Sequence, residues 1–324
     1  MAVLCDGLMA YWGQESIRAT ETMLRDAGFT VSKVCSSRPS CFDFAARKNK
    51  NLVFVKVQPD LGNLSSNDAE ELRSIAEYIS AASLLVSEKT RDKPLEDDTV
   101  YSRYNILAIT TRTFESIALH NTKPLIQANP GGCYVEIDGE TLKKRRQELR
   151  LSVGEMAEMI GISRRTLYGY ERSMAKASVT TAYNMMWALG IPVAKPVDIF
   201  EKSKARHKCC LLSTARRVIT RSKLLQKLFS KFARYDVTTV KKAPFDFVID
   251  VPEEEMRIIG GLAIDKELQL DRRIDEILSL SKVVQAHPLL ITTGQKTSHK
   301  GIRILECADL SQIKNPEDLI LNIT

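Results

Sequence analysis

Residues 151–172, LSVGEMAEMIGISRRTLYGYER, decide the reading of this chain. Val153, Met156, Ala157 and Ile160 recur at i, i+3, i+4 and i+7, which puts one apolar stripe on a short helix. Gly161 falls where that helix must stop, because glycine takes the left-handed conformation without steric cost. Ser163 then stands as the N-cap of a second helix carrying Arg164, Arg165, Leu167, Tyr168 and Tyr170. Two short helices joined this way form a helix–turn–helix, whose second helix lies in the DNA major groove. The expected ligand is double-stranded DNA.

Around this pair, Thr141–Leu149 reads as a preceding helix with Leu142, Arg146 and Leu149 on one face. Thr180–Leu189 reads as a fourth helix, with Ala182, Met185, Met186 and Leu189 facing a core and Tyr183 and Trp187 adding apolar area. On the second helix of the motif, Arg165, Tyr168, Gly169 and Arg172 share one face with Arg164 and Thr166 beside it, while Leu167 and Tyr170 turn inward. Arginine pairs bidentately with guanine, so Arg164, Arg165 and Tyr168 are the expected readers of base edges. Ser152 and Ser163 would present helix N-termini to phosphates, with Arg172 and Lys176 adding charge.

The rest of the chain frames this block. Its 324 residues allow two or three domains, and 44% hydrophobic with 27% charged residues is ordinary for a soluble globular protein. No apolar run is long enough to span a bilayer and no secretory signal is visible, so a cytoplasmic location is expected. The seven cysteines form no CxxC pair, and Cys209, Cys210 and His207 lack metal-site spacing, which fits free thiols in a reducing compartment. Net charge is +7, but from Lys202 to Lys242 the basic residues are opposed within that span only by Asp236. Such asymmetry attracts a polyanion, although a solvated helix face or a basic linker gives the same count.

The turn-rich Ala128–Gly132 and the break at Gly190–Pro192 divide the chain into an α/β block (1–127), the helix–turn–helix block (128–195), and a basic helical lead-in with a second α/β block (196–324). The outer blocks resemble each other. Phe42-Asp43-Phe44 matches Phe245-Asp246-Phe247, each following a short candidate strand, Phe29–Val34 or Asp236–Val240. Each is followed by an apolar strand (Leu52–Val57 or Met256–Gly260), a helix (Leu72, Ile75, Ala76, Ile79 or Ile274, Ile277, Leu278) and a buried-looking strand (Ser83–Val86 or Pro288–Ile291). A duplication is the expectation.

An aspartate before one strand and an acid-x-lysine on the next is how restriction-endonuclease-like nucleases hold a metal. Here Asp43 is followed by Phe54-Val55-Lys56, with phenylalanine in the acidic place. Asp246 is followed by Arg257–Gly260, with neither acid nor lysine. The outer blocks therefore resemble degenerate restriction-endonuclease-like domains, with no complete catalytic or metal set. No P-loop, dinucleotide fingerprint, nucleophile elbow or zinc-protease motif is present, and no cofactor is expected.

The central block, Leu142–Arg172, resembles the Cro/C1-type (XRE) helix–turn–helix family, in which a first-helix arginine pairs with a glutamate ending the recognition helix; Arg146 and Glu171 hold those places. Arg150 and Ser173 stand where the family usually has glycine. With Asp138-Gly139-Glu140 preceding the helices, the whole chain resembles a set of archaeal HTH-type transcriptional regulators. The resemblance implies an α/β plus all-α fold, with a central helix–turn–helix bundle between two related α/β domains. It also implies a sequence-specific DNA-binding regulator, homodimeric, with no membrane association and an unknown effector. A nuclease targeted by the helix–turn–helix, or a general DNA-associated coactivator, are the alternatives.

Overall fold

The computed structural model describes residues 2–91, 93–201, 235–251, 256–263, 267–293 and 299–311, with side chains described from residue 13. The basic lead-in, with Cys209, Cys210 and His207, lies outside the described residues. Two compact units emerge. The first comprises 1–57, 64–83 and 200–324, so it draws on both outer blocks; the second comprises 58–63 and 84–199.

In the first unit, α1 (Ala2–Asp26) leads into β1 (Thr30–Val31), β2 (Phe44–Lys48), β3 (Asn51–Val57) and α2 (Ser66–Ile79). β1–β2–β3 is an antiparallel ribbon. Leu52, Val53, Phe54, Val55 and Val57 are all buried, the pattern of a strand covered on both faces. The same order returns as β12 (Asp236–Thr239), β13 (Phe247–Val251) and β14 (Met256–Ala263). A helix follows, here α8 (Leu270–Val284), then the parallel strands β15 (His287–Thr292) and β16 (Arg303–Glu306).

The two copies correspond to each other in their hydrogen bonds. Asp43 N–H donates to the Val55 carbonyl and Asp246 N–H to the Gly260 carbonyl, both at 2.8 Å. Phe44 pairs with Val55 and Phe247 with Gly260, and the Phe247 ring lies so close over Gly260 that a Cβ there would sit 2.0 Å from it. Burial on the two helices corresponds: Ala69, Leu72, Ile75, Ala76 and Ile79 on α2 match Ile274, Ile277, Leu280, Ser281 and Val284 on α8. Leu278, expected in that stripe, is only half-buried.

The copies clasp each other reciprocally. Glu276 of α8 is 1% exposed and accepts the N–H groups of Ser36 and Ser37 at 2.9 Å, together with both hydroxyls, from the β1–β2 connection of the first copy. Glu71, at the matching place on α2, accepts the Lys241 N–H at 2.6 Å from the β12–β13 connection of the second. Arg47 on β2 donates to the Val283 and Val284 carbonyls ending α8, while Arg257 on β14 donates to the Ile79 carbonyl ending α2. Each guanidinium thus satisfies orphan carbonyls at the negative end of the other copy's helix. Burial, and after it the positive charge of Arg257, lower the Arg47 pKa.

In the second unit, Leu84–Val86 of β4 (Ala82–Val86) pair in parallel with β8 (Ile106–Ile109). β8 pairs with β7 (Thr99–Arg103), and β7 pairs in parallel with β9 (Ile126–Asn129). β5 (Lys89–Thr90) and β6 (Lys93–Pro94) make a small hairpin, and α3 (Thr111–His120) follows β8. β9 turns directly into β10 (Gly132–Val135), so Asn129–Gly132 is the bend of a β-hairpin rather than a linker. The helical block is α4 (Gly139–Glu148), α5 (Val153–Ile160), α6 (Arg164–Glu171), β11 (Ala177–Ser178) and α7 (Val179–Leu189). Among the described residues no helix is long and apolar enough to cross a membrane.

Glu276→Ala leaves four donors of the Ser36–Ser37 turn without their acceptor, and should lower unfolding free energy by roughly 2–4 kcal/mol. Glu71→Ala, which orphans one N–H, should cost under about 1.5 kcal/mol. Urea unfolding of the two variants against the parent measures the difference; equal costs would contradict the clasp.

Candidate nucleic-acid interface

Three serine-capped helices build the interface. Ser152, Ser163 and Ser178 each accept, at 3.1 Å, the N–H of the residue three positions on. Ser152 belongs to a full capping box, in which its own N–H donates to Glu155 at 2.7 Å. That carboxylate, held below its usual pKa by the Ser152 N–H and hydroxyl, sits over the first turn of α5. The α6 and α7 N-termini carry no acidic residue in their first turns. Ser178 escaped the sequence reading, which began the fourth helix at Thr180; a serine three residues before Thr181 at the head of an apolar run was the signal.

The core under these helices contains Leu142, Met156, Ala157, Ile160, Leu167, Tyr170, Ala182, Met185 and Leu189. Leu167 and Tyr170 bury the inner side of α6, which leaves Arg164, Arg165, Tyr168 and Arg172 exposed. Thr166 and Gly169 are half-buried. Arg172 stacks on the Tyr168 ring at 4.3 Å, whereas the Arg164 guanidinium lies back over Gly154, about where a Cβ at that position would meet it at 3.0 Å. Lys176 is exposed beyond α6 and donates to the Gln127 side chain of β9. Val153 is half-buried, and Leu149 is 40% exposed rather than packed. Tyr183 and Trp187 are 61% and 79% exposed, because their i, i+4 pair falls opposite Ala182, Met185 and Leu189 on α7.

The aim of α6 is fixed by one ion pair. Arg146 on α4 holds Glu171 through Nε at 2.5 Å and Nη2 at 3.2 Å, and donates through Nη1 to the Leu151 carbonyl at 2.8 Å. Both side chains are nearly out of solvent, at 10% and 5% exposure, so the bidentate geometry is not loosened by water. Gly139 permits this crossing: a Cβ there would stand 2.5 Å from the carbonyl oxygens of Tyr170 and Glu171. Arg150 and Ser173, in the family's glycine places, adopt φ of 59° and 54°. The loops keep glycine geometry without glycine, at a cost on the order of 1 kcal/mol each.

The nuclease-like positions are closed. In the first copy Asp43 accepts Lys56 Nζ at 2.9 Å and the Val57 N–H at 2.7 Å, while Phe54 is fully buried against the Phe42 ring. In the second copy the Leu262 N–H takes the place of Val57's, so Gly261 corresponds to Lys56 and Ile259 to Phe54. This corrects the Arg257–Gly260 alignment: the first span is 14 residues and the second 16. Asp246 is bound by Arg38 of the first copy at 2.7 Å and by Arg273, which also holds Glu267 at 2.8 Å. Arg273 is fully buried, and its Nη2 would be 3.1 Å from a Cβ on Gly261. The second copy thus has a helix cation in the space where the first has a strand cation. A divalent cation needs several free oxygens. Among the described residues no group of three or more His, Cys, Asp or Glu is arranged to hold a metal, and these carboxylates do not fit one.

Gly139→Ala should destabilise the helical block by roughly 2–4 kcal/mol, since backbone rather than a flexible side chain meets the new methyl. Ser173→Gly should stabilise it by up to about 1 kcal/mol. Thermal unfolding followed by circular dichroism reads both, and a stabilising Gly139→Ala would contradict the crossing described.

Comparison with known proteins matches both regions. A family described as PD-(D/E)XK superfamily domain matches residues 14–124, and one described as Helix-turn-helix matches residues 142–195. Among archaeal proteins named "Putative HTH-type transcriptional regulatory protein", that of Methanosarcina acetivorans is 31% identical over 92% of each chain. That of Methanococcoides burtonii is 32% identical over 92% of each. That of Pyrococcus furiosus is 30% identical over 93% of this chain and 94% of its own. A solved SinR protein/SinI protein complex is a fainter likeness, 21% identical over 30% of this chain and 92% of that one, with a TM-score of 0.16. Nearly full-length similarity joined to both domain matches shows that the chain belongs to this archaeal family of HTH-type transcriptional regulatory proteins, a helix–turn–helix combined with a PD-(D/E)XK fold.

Proposed function

We propose that the protein is a sequence-specific DNA-binding transcriptional regulator that reads its site with α6. The observation that carries this is the division of α6 itself. Leu167 and Tyr170 anchor one side in the core, the buried Arg146–Glu171 pair fixes its end, and Arg165, Tyr168 and Arg172 stand clear on the other. Arg165 and Tyr168 read base edges, with Arg164, Thr166 and Gly169 beside them. Ser163 with the α6 N-terminus, Arg172 and Lys176 meet phosphates. At Ser152 the capping carboxylate of Glu155 makes the phosphate role the weakest of the set. A single helix–turn–helix among the described residues favours a homodimer on half-sites about 34–36 Å apart.

The second reading, a DNA-cleaving enzyme, is favoured by the PD-(D/E)XK match and by the surviving Asp43–Lys56 pair. Against it stand Phe54 in the acidic position and the arginines bound to Asp246. The reading preferred here is that of a regulator without nuclease chemistry.

Arg165→Ala should cost about 1–3 kcal/mol at a site selected from a randomised duplex pool and relax base preference at one position. Uniform weakening on all sequences would instead assign Arg165 to phosphate. Incubation of the full-length chain with supercoiled plasmid and magnesium or manganese should leave the plasmid intact. Cleavage abolished by Asp43→Ala would establish the enzyme reading.

A further inference from the structure

The hairpin β9–β10 falls between the two family matches, which end at 124 and resume at 142. It is a built element. Four residue pairs, Ile126–Val135 to Asn129–Gly132, close on the two-residue bend Pro130-Gly131, with Gly131 at φ +104° where a side chain is strained. Tyr134 braces the bend from within: its hydroxyl lies 3.4 Å from the Gly131 carbonyl, and its ring lies 3.8 Å from where a Gly132 Cβ would be.

The base of the hairpin is part of the helical block. Val135 pairs with Ala177 and Tyr134 with Ser178, and both Val135 and Ala177 lie in the core beneath α6. Lys176, between α6 and β11, bonds Gln127 of β9. The α6–α7 connection and the hairpin are therefore tied together. The register also gives direction. The ladder with β11 ends at Ser178, the cap of α7, and β10 continues two residues past it to Gly132, about 7 Å at 3.4 Å per residue. The bend thus overhangs the N-terminus of α7. Asn129, Pro130, Gly131, Gly132 and Cys133 are all exposed there. Residues 126–135 contain no acidic side chain, and Arg172 and Lys176 supply exposed positive charge on the adjoining connection.

We propose that this hairpin is a wing, a second DNA-contacting element that lies against the sugar–phosphate backbone flanking the half-site while α6 occupies the major groove. The wing rests on the DNA-reading function proposed above and adds a contact outside the helix–turn–helix. Its narrow glycine bend lets backbone N–H groups and the Asn129 amide approach phosphates, where positioning rather than base readout is gained. The overhang at the α7 N-terminus puts it beside a further phosphate-facing helix end.

The test uses the full-length chain and a duplex enriched from a randomised pool. Asn129→Glu should weaken binding about tenfold and erase hydroxyl-radical protection only at the flank of each half-site. Asn129→Lys should tighten binding and steepen the salt slope by about 0.9. Thr122→Glu, equally exposed but after α3, should change neither. Unchanged affinity, slope and footprint in both Asn129 variants would overturn the wing while leaving α6 as reader. Arg165→Ala, run beside them, separates the two, because it relaxes base preference and the bend variants do not. Failure of the parent chain to enrich or retain any duplex would remove the DNA-reading function and the wing together.

Discussion

A carboxylate shared by two guanidiniums holds the first unit in its present form. Asp246 takes Arg38 from one copy of the repeat and Arg273 from the other, and Arg273 also donates to the Pro244 and Leu262 carbonyls and to Glu267. A fully buried arginine is tolerable only when its charge and its donors are all met. Every partner of Arg273 therefore becomes fixed: the start of β13, the exit of β14 and the turn ahead of α8. With Glu276 and Glu71 clasping the opposite connections, neither copy completes its polar bonding alone. The repeat is a pseudo-dimer within one chain, and its two copies fold as parts of one body.

Much of this was legible in the residues. The Phe-Asp-Phe triplets fall at equivalent ladder positions, because an aspartate that must accept a backbone N–H from the next strand can stand only there. The i, i+3, i+4 stripe of α5 and the inward turn of Leu167 and Tyr170 follow from helical period alone, whereas the Arg146–Glu171 pair is implied only by the family resemblance. Other features depend on information that periodicity lacks. The two-residue difference between the aspartate spans hides in a connection, so pairing the copies by the nearest apolar run set Arg257–Gly260 against Phe54–Lys56 instead of Ile259–Gly261. Tyr183 and Trp187 have apolar character but the wrong helical phase for the core, and composition alone cannot tell the two faces apart.

The loops show a different limit. Arg150 and Ser173 look like departures from a glycine pattern, yet both adopt the left-handed backbone that glycine would supply. The backbone geometry is that of a local helix C-cap: Leu151 N–H donates to the Arg146 carbonyl and Arg150 N–H to Gln147, as Met174 N–H does to Gly169 and Ser173 N–H to Tyr170. The way each helix ends, rather than the residue at the turn, sets the left-handed backbone, which side-chain identity alone does not reveal. The bend at Pro130-Gly131 is the converse case. Its residues mark a turn, but only the pairing of β10 with β11 distinguishes a hairpin fixed to the helical core from a connector between domains.

Because the two copies lie in one chain, their sites are free to differ. In a homodimer each substitution appears on both sides of the two-fold axis, so a cation moved from strand to helix must suit both sites at once. In a single chain the sides are independent. The first copy keeps Lys56 on its strand and carries Asp68 on α2, where it pairs with Lys242 of the second copy. The second copy has Gly261 on its strand and Arg273 at the place matching Asp68. Each arrangement balances its carboxylates with cations, one of them lent by the opposite copy, and each leaves oxygens directed at nitrogen rather than open to a metal. Asp246 and Asp68 take cations of the opposite copy and so tie the copies together, while Asp43 is met by Lys56 of its own.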